Sequence, residues 1–336
     1  MKFFKNKKIL IAGGTGLIGA FITNYLCLSN AKVTCVSVDS KSRVNKVLSN
    51  PNVFKRVDLR NNNLCKEITK EVDIVINLMG VRESTQLGVK QSATSLSAFL
   101  RCNTNLIENS CLNRVGTYLF CGSINQYPPL KIRKEDDVWN GLPSAQDKYV
   151  GISKRVGEME AEAYSIQFQW DAVKIIRPSN VYGPFDNFDP ATAHVIPSLI
   201  HKALSIKNDF IEVAGNGNAV RDFIYVEDLV RGILLMIKKG KTNYPVNIGS
   251  GKGVSIKKIV KIINSNLVHK KKIIWNTNLP TGDPKRVLDI KRAEKHLFFN
   301  PKFTIEKGIK ETMGWYKNNF NLAYNLGRTY DKVYKI

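Results

Sequence analysis

Lys8-Ile-Leu-Ile-Ala-Gly-Gly-Thr-Gly-Leu-Ile-Gly19 is the segment from which the rest of the chain can be interpreted. Its residues 9–12 form an apolar run that predicts one buried parallel strand, and residues 20–28 predict a helix. Between them, Gly13 permits a tight turn, Gly16 lets the backbone approach a pyrophosphate, and Gly19 lets the helix pack close to the strand. Strand, glycine turn and helix together predict a dinucleotide site. The residues that we expect to bind the cofactor here are Gly13, Thr15, Gly16, Leu17, Ile18 and Gly19.

The length and composition indicate a globular protein with a sizeable core. The 336 residues, of which 43% are hydrophobic, suffice for one large α/β unit or for a nucleotide domain with a smaller partner. No apolar run is long enough to span a bilayer, and the first strand follows the N-terminus too closely for a signal peptide. The six cysteines contain no C-x-x-C pair, so we expect reduced thiols, a cytoplasmic location and no metal site.

The formal net charge of +23 has two interpretations. One is an acidic partner such as a nucleic acid, an anionic lipid or a nucleotide diphosphate. The other is a lysine-rich composition spread over solvated faces. The lysines are dispersed, and no basic patch with interleaved aromatic residues stands out. We therefore favour the second interpretation and expect neither a nucleic-acid partner nor stable membrane insertion.

Alternating strand and helix patterns up to residue 178 predict the fold class, a doubly wound parallel α/β sheet of the Rossmann type with a smaller interleaved C-terminal substrate lobe. We predict a dinucleotide domain over residues 1–178, to which residues 221–248 return. Residues 179–220 and 249–336 are predicted to form the substrate lobe.

The ends of the later strands supply further candidate cofactor residues. Asp39 follows the second strand, 20 residues after Gly19, where an acid can bind the ribose 2′-hydroxyl of NAD. Ser37 can take that place instead, and Lys41 and Arg43 can pair with the 2′-phosphate of NADP. We favour NAD because of Asp39, and NADP stays open. Three further residues complete this set. Asp58 and Leu59 can flank an adenine, and Gly80 lets the cofactor pass close to a strand end.

Several ordered motifs resemble the extended short-chain dehydrogenase/reductase family, in particular its nucleotide-sugar epimerases and reductases. The resemblance covers nearly the whole chain. Besides the glycine turn, the matching stretches are Arg177-Pro-Ser-Asn-Val-Tyr-Gly-Pro184, Arg221-Asp-Phe-Ile-Tyr-Val-Glu-Asp228, Asn247-Ile-Gly-Ser250 and Thr281-Gly-Asp-Pro-Lys-Arg286.

The resemblance implies reversible hydride transfer between a nicotinamide and a sugar ring carbon, most often C4, of a nucleotide-diphosphate sugar. It implies three catalytic groups, namely a Ser or Thr that holds the substrate oxygen, a Tyr that serves as acid or base, and a Lys that lowers the tyrosine pKa and binds the nicotinamide ribose. Ser123 and Lys154 match the first and third groups, and Pro178 is added to the cofactor residues. The resemblance also leads us to expect a homodimer.

The tyrosine is where the sequence departs from the family pattern Y-x-x-x-K. Val150 lies four residues before Lys154, and Tyr149 lies five before. In a regular helix Tyr149 would be turned about 100° away from the lysine face. Either a π-bulge or a late helix start brings Tyr149 back, or valine fills the site and the base comes from elsewhere. Both arrangements stay open, and Tyr149 is the candidate catalytic group.

Further matches concern the substrate. The resemblance implies that Asn180, Arg221 and Arg286 contact a diphosphate, for which the arginine fork is suited. The stretch His194-Val195-Ile-Pro197 is similar to GDP-fucose synthases, which favours GDP and leaves His194 as a candidate acid. Ile124 and Asn125 stand where dehydratases of the family carry Asp-Glu, so we do not expect a dehydratase. The alternatives to an epimerase or dehydrogenase are a net reductase of a 4-keto sugar and a catalytically impaired binder.

Overall fold

The computed structural model describes residues 2–80, 92–189, 192–206, 209–279 and 281–320. Its first half alternates strands and helices. The strands are β1 (Lys8–Ala12), β2 (Lys32–Ser37), β3 (Phe54–Arg56), β4 (Ile74–Asn77), β5 (Thr117–Cys121), β6 (Ile132–Arg133) and β7 (Val173–Pro178). The helices are α1 (Leu17–Cys27), α2 (Lys41–Val47), α3 (Asn62–Ile68), α4 (Ser92–Leu112) and α5 (Lys148–Gln167).

The second half has shorter elements. Its strands are β8 (Asn180–Tyr182), β9 (Phe210–Ala214), β10 (Val220–Tyr225), β11 (Val246–Ile248), β12 (Gly253–Ser255), β13 (Lys272–Asn276) and β14 (Lys285–Leu288). Its helices are α6 (Val195–Leu204), α7 (Val226–Lys239), α8 (Ile256–Ser265), α9 (Lys291–Leu297) and α10 (Ile305–Asn318). No helix among the described residues is long and apolar enough to cross a membrane.

A seven-stranded parallel sheet forms the centre, in the order β11-β7-β5-β4-β1-β2-β3. From β1 the sheet grows through β2 and β3 on one side and through β4, β5 and β7 on the other, so the switch point of this doubly wound sheet lies between β1 and β4. The predicted fold class is therefore confirmed. Alternate residues of β1 face opposite layers: Ile9 and Ile11 belong to one apolar cluster, and Leu10 and Ala12 to the other. Helices α1 and α7 cover the first face, and α3, α4 and α5 cover the second.

A second sheet has the order β12-β10-β14-β6, with β8 paired to β10, and β9 pairs with β13 in a separate ribbon. The second sheet crosses the predicted division of the chain in two places. Strand β6 lies within the range 1–178 yet joins the second sheet, and β10 (Val220–Tyr225) lies at the start of the returning range 221–248 yet does the same. In the returning range, α7 and β11 pack with the large sheet. A two-residue strand such as β6 carries no periodicity, so the sequence offers no signal for it.

Candidate active site

A cavity of about 460 Å³ lies at the carboxyl ends of the central strands and extends to the second sheet. It begins at the glycine turn after β1, passes Ser123 and Lys154, and reaches Arg221 and Phe223 of β10. Parallel α/β sheets bind ligands at this edge, at the switch point in strand order. Most of the residues selected from the sequence therefore border one space. They are Gly13, Thr15, Gly16, Leu17, Ile18, Gly19, Asp39, Leu59, Gly80, Ser123, Lys154, Pro178, Asn180, His194, Val195 and Arg221.

The three glycines of the turn serve different purposes. Gly13 has a φ of +76°, a conformation that favours glycine. A Cβ added to Gly19 would lie 2.2 Å from the Gly13 carbonyl oxygen, so this glycine lets α1 approach the turn. A Cβ added to Gly16 would meet only that oxygen, at 3.5 Å, and one added to Gly80 would meet nothing within 4 Å. The open space beside Gly16 and Gly80 fits a dinucleotide that passes close to the backbone.

Asp39 lies at the end of β2 within a small polar group. Its carboxylate accepts a hydrogen bond from Thr15 Oγ1 at 2.5 Å and pairs with Arg43 Nε at 2.9 Å. Ser37 Oγ accepts a hydrogen bond from Thr15 Oγ1 at 2.9 Å. The Arg43 guanidinium also donates to the Thr15 carbonyl, and its side chain is 7% exposed. An acid beside the glycine turn suits the ribose 2′-hydroxyl of NAD, and Arg43 already has Asp39 as its counter-ion.

Asp58 is a cofactor candidate that the structure does not bring to the cavity. Its carboxylate binds Arg60 Nη2 at 2.6 Å, and this hydrogen bond is the main cause of its lowered pKa. Its neighbours Val57 and Leu59 border the cavity instead. The apolar side chains on either side of Asp58 are therefore the surfaces available to an adenine, and Asp58 faces Arg60.

Lys154 is a buried basic residue that borders the middle of the cavity. Its Nζ donates to the carbonyl oxygens of Met79 at 2.6 Å and Cys121 at 2.7 Å, and it lies 4.7 Å from the centre of the Phe99 ring. Burial lowers the pKa of Lys154 from 10.5 to about 8, while the Cys121 thiol opposes this shift. Two of the three ammonium hydrogens thus bind backbone, which fixes Nζ at the junction of β4, β5 and α5.

Ser123 follows β5 and begins a short 3₁₀ turn, Ile124–Gln126. Its Oγ accepts a hydrogen bond from the Asn125 N–H at 3.1 Å. The hydroxyl can therefore donate its own hydrogen to a substrate oxygen. Ser123 and Lys154 are brought together at the cavity, as expected of residues that act on one substrate.

Tyr149 is not brought to the cavity. Helix α5 is regular from Lys148 onward, so neither the π-bulge nor the late helix start of the first arrangement is present. Val150 borders the cavity, whereas Tyr149 points away and is 41% exposed. Gly151 fixes this rotation, because a Cβ there would lie 2.4 Å from the Asn125 carbonyl oxygen and 2.7 Å from Pro143. The helix is thus held against its neighbours with valine facing the cavity.

The predicted substrate residues divide in two groups. Asn180, His194, Val195 and Arg221 border the cavity, and Asn180 Nδ2 donates to the Asp222 carbonyl at 2.8 Å. Arg286 does not border it. Its Nη1 binds Asp147 Oδ2 at 2.6 Å, and its Nε binds Asp283 Oδ2 at 2.8 Å. Asp147 stands at the cavity surface where Arg286 was expected.

Sequence reasoning missed Asp147 and Gln146, which both border the cavity. Asp147 is the N-cap residue of α5, three residues before Val150 and seven before Lys154. That spacing places the three side chains on one helix face. The spacing from Lys154 could have identified Asp147. Among the described residues, no group of three or more His, Cys, Asp or Glu side chains is arranged to hold a metal ion.

Comparison with known proteins gives consistent matches over most of the chain. The model of the "NAD dependent epimerase/dehydratase family" matches residues 9–249. A dTDP-4-dehydro-6-deoxy-D-allose reductase from Streptomyces sp is 29% identical over 321 residues, which are 93% of this chain and 96% of the relative. GDP-L-fucose synthase 1 from Arabidopsis thaliana is 28% identical over 326 residues, which are 94% of each protein.

Solved structures show the same fold. UDP-glucose 4-epimerase from Thermotoga maritima, solved with UDP-glucose, superposes with a TM-score of 0.82 at 23% identity. The superposition covers 93% of this chain and 99% of the epimerase. The likeness therefore extends over the large sheet and the second half of the chain.

Proposed function

The chain belongs to the NAD-dependent epimerase/dehydratase family, and from this premise we propose that it oxidises and reduces one ring carbon of a nucleotide-diphosphate sugar. It is an NAD(P)-dependent enzyme of the epimerase and reductase type, like its relatives. One observation carries the proposal: a continuous cavity joins the glycine turn to Ser123 and Lys154 and ends at Arg221. We assign C4 as the reacting carbon and GDP as the favoured nucleotide.

Each end of the cavity has residues suited to one ligand. The glycine turn, Asp39 and Leu59 would hold the cofactor, with the Asp39–Arg43 pair favouring NAD. A cofactor held there would supply a nicotinamide for the hydride exchange with the sugar carbon. Asn180, His194 and Arg221 would hold the nucleotide sugar, with Arg221 on the diphosphate. Ser123 would donate a hydrogen bond to the sugar oxygen that gains or loses the proton.

The proton requires a carrier other than a phenol at the Val150 position. Tyr182 also borders the cavity, but its hydroxyl points to Gly308 in α10. Lys154 Nζ is the carrier that we propose. The neutral amine accepts the sugar hydroxyl proton on oxidation, and the ammonium returns it to the carbonyl oxygen on reduction. A pKa of about 8 suits this exchange near neutral pH.

A second candidate function is a nucleotide-sugar binder that has lost catalysis, because Val150 cannot carry a proton. A third is a net reductase, which releases its cofactor after each turnover.

One set of measurements separates the candidates. The purified chain is mixed with NAD or NADP and with GDP-, UDP- and dTDP-linked sugars, and the sugars are then analysed by NMR. An epimer as product, together with a retained reduced-nicotinamide absorption band, supports the epimerase. Stoichiometric oxidation of added NADH or NADPH by a 4-keto sugar supports the reductase. Binding of cofactor and nucleotide by calorimetry with no product supports the binder, and no binding of either ligand contradicts all three.

We also propose a homodimer formed through α4 and α5, which pack side by side on one face of the sheet. Met159 and Ile166 of α5 are 54% and 67% exposed, and Leu112 at the end of α4 is 63% exposed. Exposed apolar side chains on two neighbouring helices offer a surface that a second copy of the chain could cover. Sedimentation of the parent as a dimer, and of Ile166→Glu as a monomer, is the expected result.

A further inference from the structure

Three arginines meet on adjacent strands of the second sheet. Arg221 of β10 and Arg286 of β14 are register partners, and Arg133 lies on β6 at the other side of β14. Like charges side by side in a sheet repel each other unless anions neutralise them. Two carboxylates, Asp147 and Asp283, do so. We call these five residues the arginine cluster, and it carries one positive charge in excess.

The hydrogen bonds leave part of the cluster unused. Asp283 Oδ2 accepts from Arg133 Nη2 at 3.0 Å, from Arg286 Nε at 2.8 Å and from Ser144 Oγ at 2.6 Å. Arg286 Nη1 binds Asp147, while Arg286 Nη2 is buried and has no hydrogen-bond partner among the residues that the structure describes. A buried guanidinium nitrogen without an acceptor is energetically unfavourable. The cluster therefore has both a spare charge and a spare donor.

The pKa values of the neighbouring arginines agree with incomplete neutralisation. Burial, followed by the charge of Arg286, lowers the pKa of Arg133 and that of Arg221 to about 10 in each case. An additional anion in the cluster would relieve this repulsion.

Asp147 lies between the cavity and Arg286. It borders the cavity and is 14% exposed, whereas the Arg286 side chain is 7% exposed and does not border it. Arg221, the register partner of Arg286, does border the cavity. A ligand held by Arg221 is thus one strand away from Arg286, and the Asp147 carboxylate occupies the place between them.

We infer that one phosphate of the substrate replaces the Asp147 carboxylate on Arg286, so that Asp147 is an internal competitor that sets selectivity for nucleoside diphosphates. The inference rests on the proposed function, since it assumes a nucleotide at Arg221. A diphosphate can span Arg221 and Arg286 and displace Asp147. A monophosphate offers only one phosphate group, which we infer stays on Arg221 and leaves the ion pair of Arg286 with Asp147 intact. Displaced Asp147 would turn toward the cavity and the solvent in it.

The test measures nucleotide affinity without turnover. GDP, UDP and dTDP, and the corresponding monophosphates, are titrated by calorimetry into the full chain, its Asp147→Asn variant and a control, Asp136→Asn. Asp136 is an 85% exposed aspartate that pairs with Arg292 away from the cluster. Asparagine keeps the size of Asp147 and is a good N-cap residue, and thermal melts establish that each variant folds.

We expect Asp147→Asn to bind the preferred diphosphate roughly tenfold more tightly than the parent, as for one charge-assisted hydrogen bond gained. The affinity of Asp147→Asn for the monophosphate should equal that of the parent. The control Asp136→Asn should bind both ligands with the parent affinities. In the Arg286→Gln background, the gain from Asp147→Asn should disappear. Equal or weaker diphosphate binding by folded Asp147→Asn, or an equal gain for the monophosphate, overturns the inference. Failure of the parent to bind any of the diphosphates would instead contradict the proposed function.

Discussion

At the scale of single residues, the position that matters most for the chemistry is Val150. It borders the cavity on the same helix face as Lys154, in the place where the family pattern has a tyrosine. Valine has no proton to exchange, and Tyr149 next to it points to solvent. The one-residue displacement visible in the sequence is therefore retained in the structure.

The first prediction compares Tyr149 with Val150. Tyr149→Phe should leave turnover nearly unchanged, because its hydroxyl lies outside the cavity. Val150→Tyr should raise turnover by roughly 10²-fold, the lower end of the range for an added general acid or base. Steady-state kinetics over a range of pH would measure both effects. A large loss in Tyr149→Phe would show that the tyrosine reaches the substrate, contrary to the geometry of α5.

The second prediction concerns Lys154 and pH. Its pKa is about 8 in the folded protein and 10.5 as an ordinary value, so between these pH values the unfolded chain binds more protons. The free energy of unfolding therefore rises with pH across this window, by on the order of 1 kcal/mol per pH unit. Below pH 8 Lys154 is protonated in both the folded and the unfolded chain. The folded protein then carries the full free-energy cost of burying this charge.

Lys154→Met isolates this effect, because methionine does not titrate. Urea unfolding of both proteins between pH 7 and about 10.5 should show the parent gaining stability relative to the variant. If the difference in free energy of unfolding between the parent and Lys154→Met stays constant over this pH range, the lowered pKa of Lys154 is contradicted. Lys154→Met should also weaken cofactor binding, since the lysine is proposed to hold the ribose.

Sequence reasoning identified Ser123 and Lys154 but not Asp147. Motif spacing identifies residues that a family shares, and Asp147 was outside the motifs that we matched. Arg286 was predicted to contact the diphosphate, whereas its side chain binds Asp147 and does not border the cavity. Which carboxylate reaches this buried arginine depends on how the start of α5 packs against β14, and the two residues are 139 positions apart in the chain.

At the scale of elements, two glycines at the junction of β1 and α1 have different roles. Gly19 makes room for the helix, and Gly16 makes room for the ligand. A third prediction follows from the distances of an added Cβ to its neighbours.

Gly19→Ala should destabilise the fold by about 3 kcal/mol, because its Cβ would overlap backbone atoms that cannot move away. Gly16→Ala should leave the fold intact and weaken cofactor binding, and Gly16→Val should abolish it. Thermal unfolding and NAD titration would measure the two properties separately. The assignment fails if Gly16→Val folds and binds NAD as the parent does.

The strands and helices of the large sheet could be predicted because each is an apolar run or a helical stripe of adequate length. Strand β5, Thr117–Cys121, is an uninterrupted run of this kind, and four of its five residues are buried. The second sheet could not be predicted. Its strands have two to six residues, and their pairing depends on contacts between distant segments rather than on local pattern.

At the scale of the whole molecule, a buried polar network joins the two halves of the chain. Arg177 of β7 binds Glu158 of α5 and donates to Tyr127 Oη at 2.9 Å. Tyr127 Oη donates to Asn247 Oδ1 at 2.6 Å, and the Asn247 N–H donates to Glu135 at 2.9 Å. Arg177 and Tyr127 are almost fully buried. The network therefore holds β11 and the second sheet against the core of the first half.

The fourth prediction concerns this network. Glu158→Gln should lower the free energy of unfolding by about 3–5 kcal/mol, because it leaves the Arg177 charge buried without its counter-ion. The exposed pair of Lys70 and Glu67 provides the control, since solvent screens this pair and Glu67→Gln should change stability far less than Glu158→Gln. Urea unfolding at neutral pH would measure both. Similar small effects at the two sites would show that the network contributes little to stability.

The hydrogen bond between Tyr127 and Asn247 joins residues 120 positions apart, and this separation has a consequence for synthesis on the ribosome. At about 5–20 residues per second, roughly 6–24 s pass between the translation of the two residues. Strand β7 ends at residue 178 and β11 begins at residue 246, so for about 3–14 s of that interval β7 has no β11 beside it. Its edge is then open to pairing with other chains. The nascent polypeptide therefore passes through a stage at which a chaperone that shields strand edges would raise the yield of folded protein.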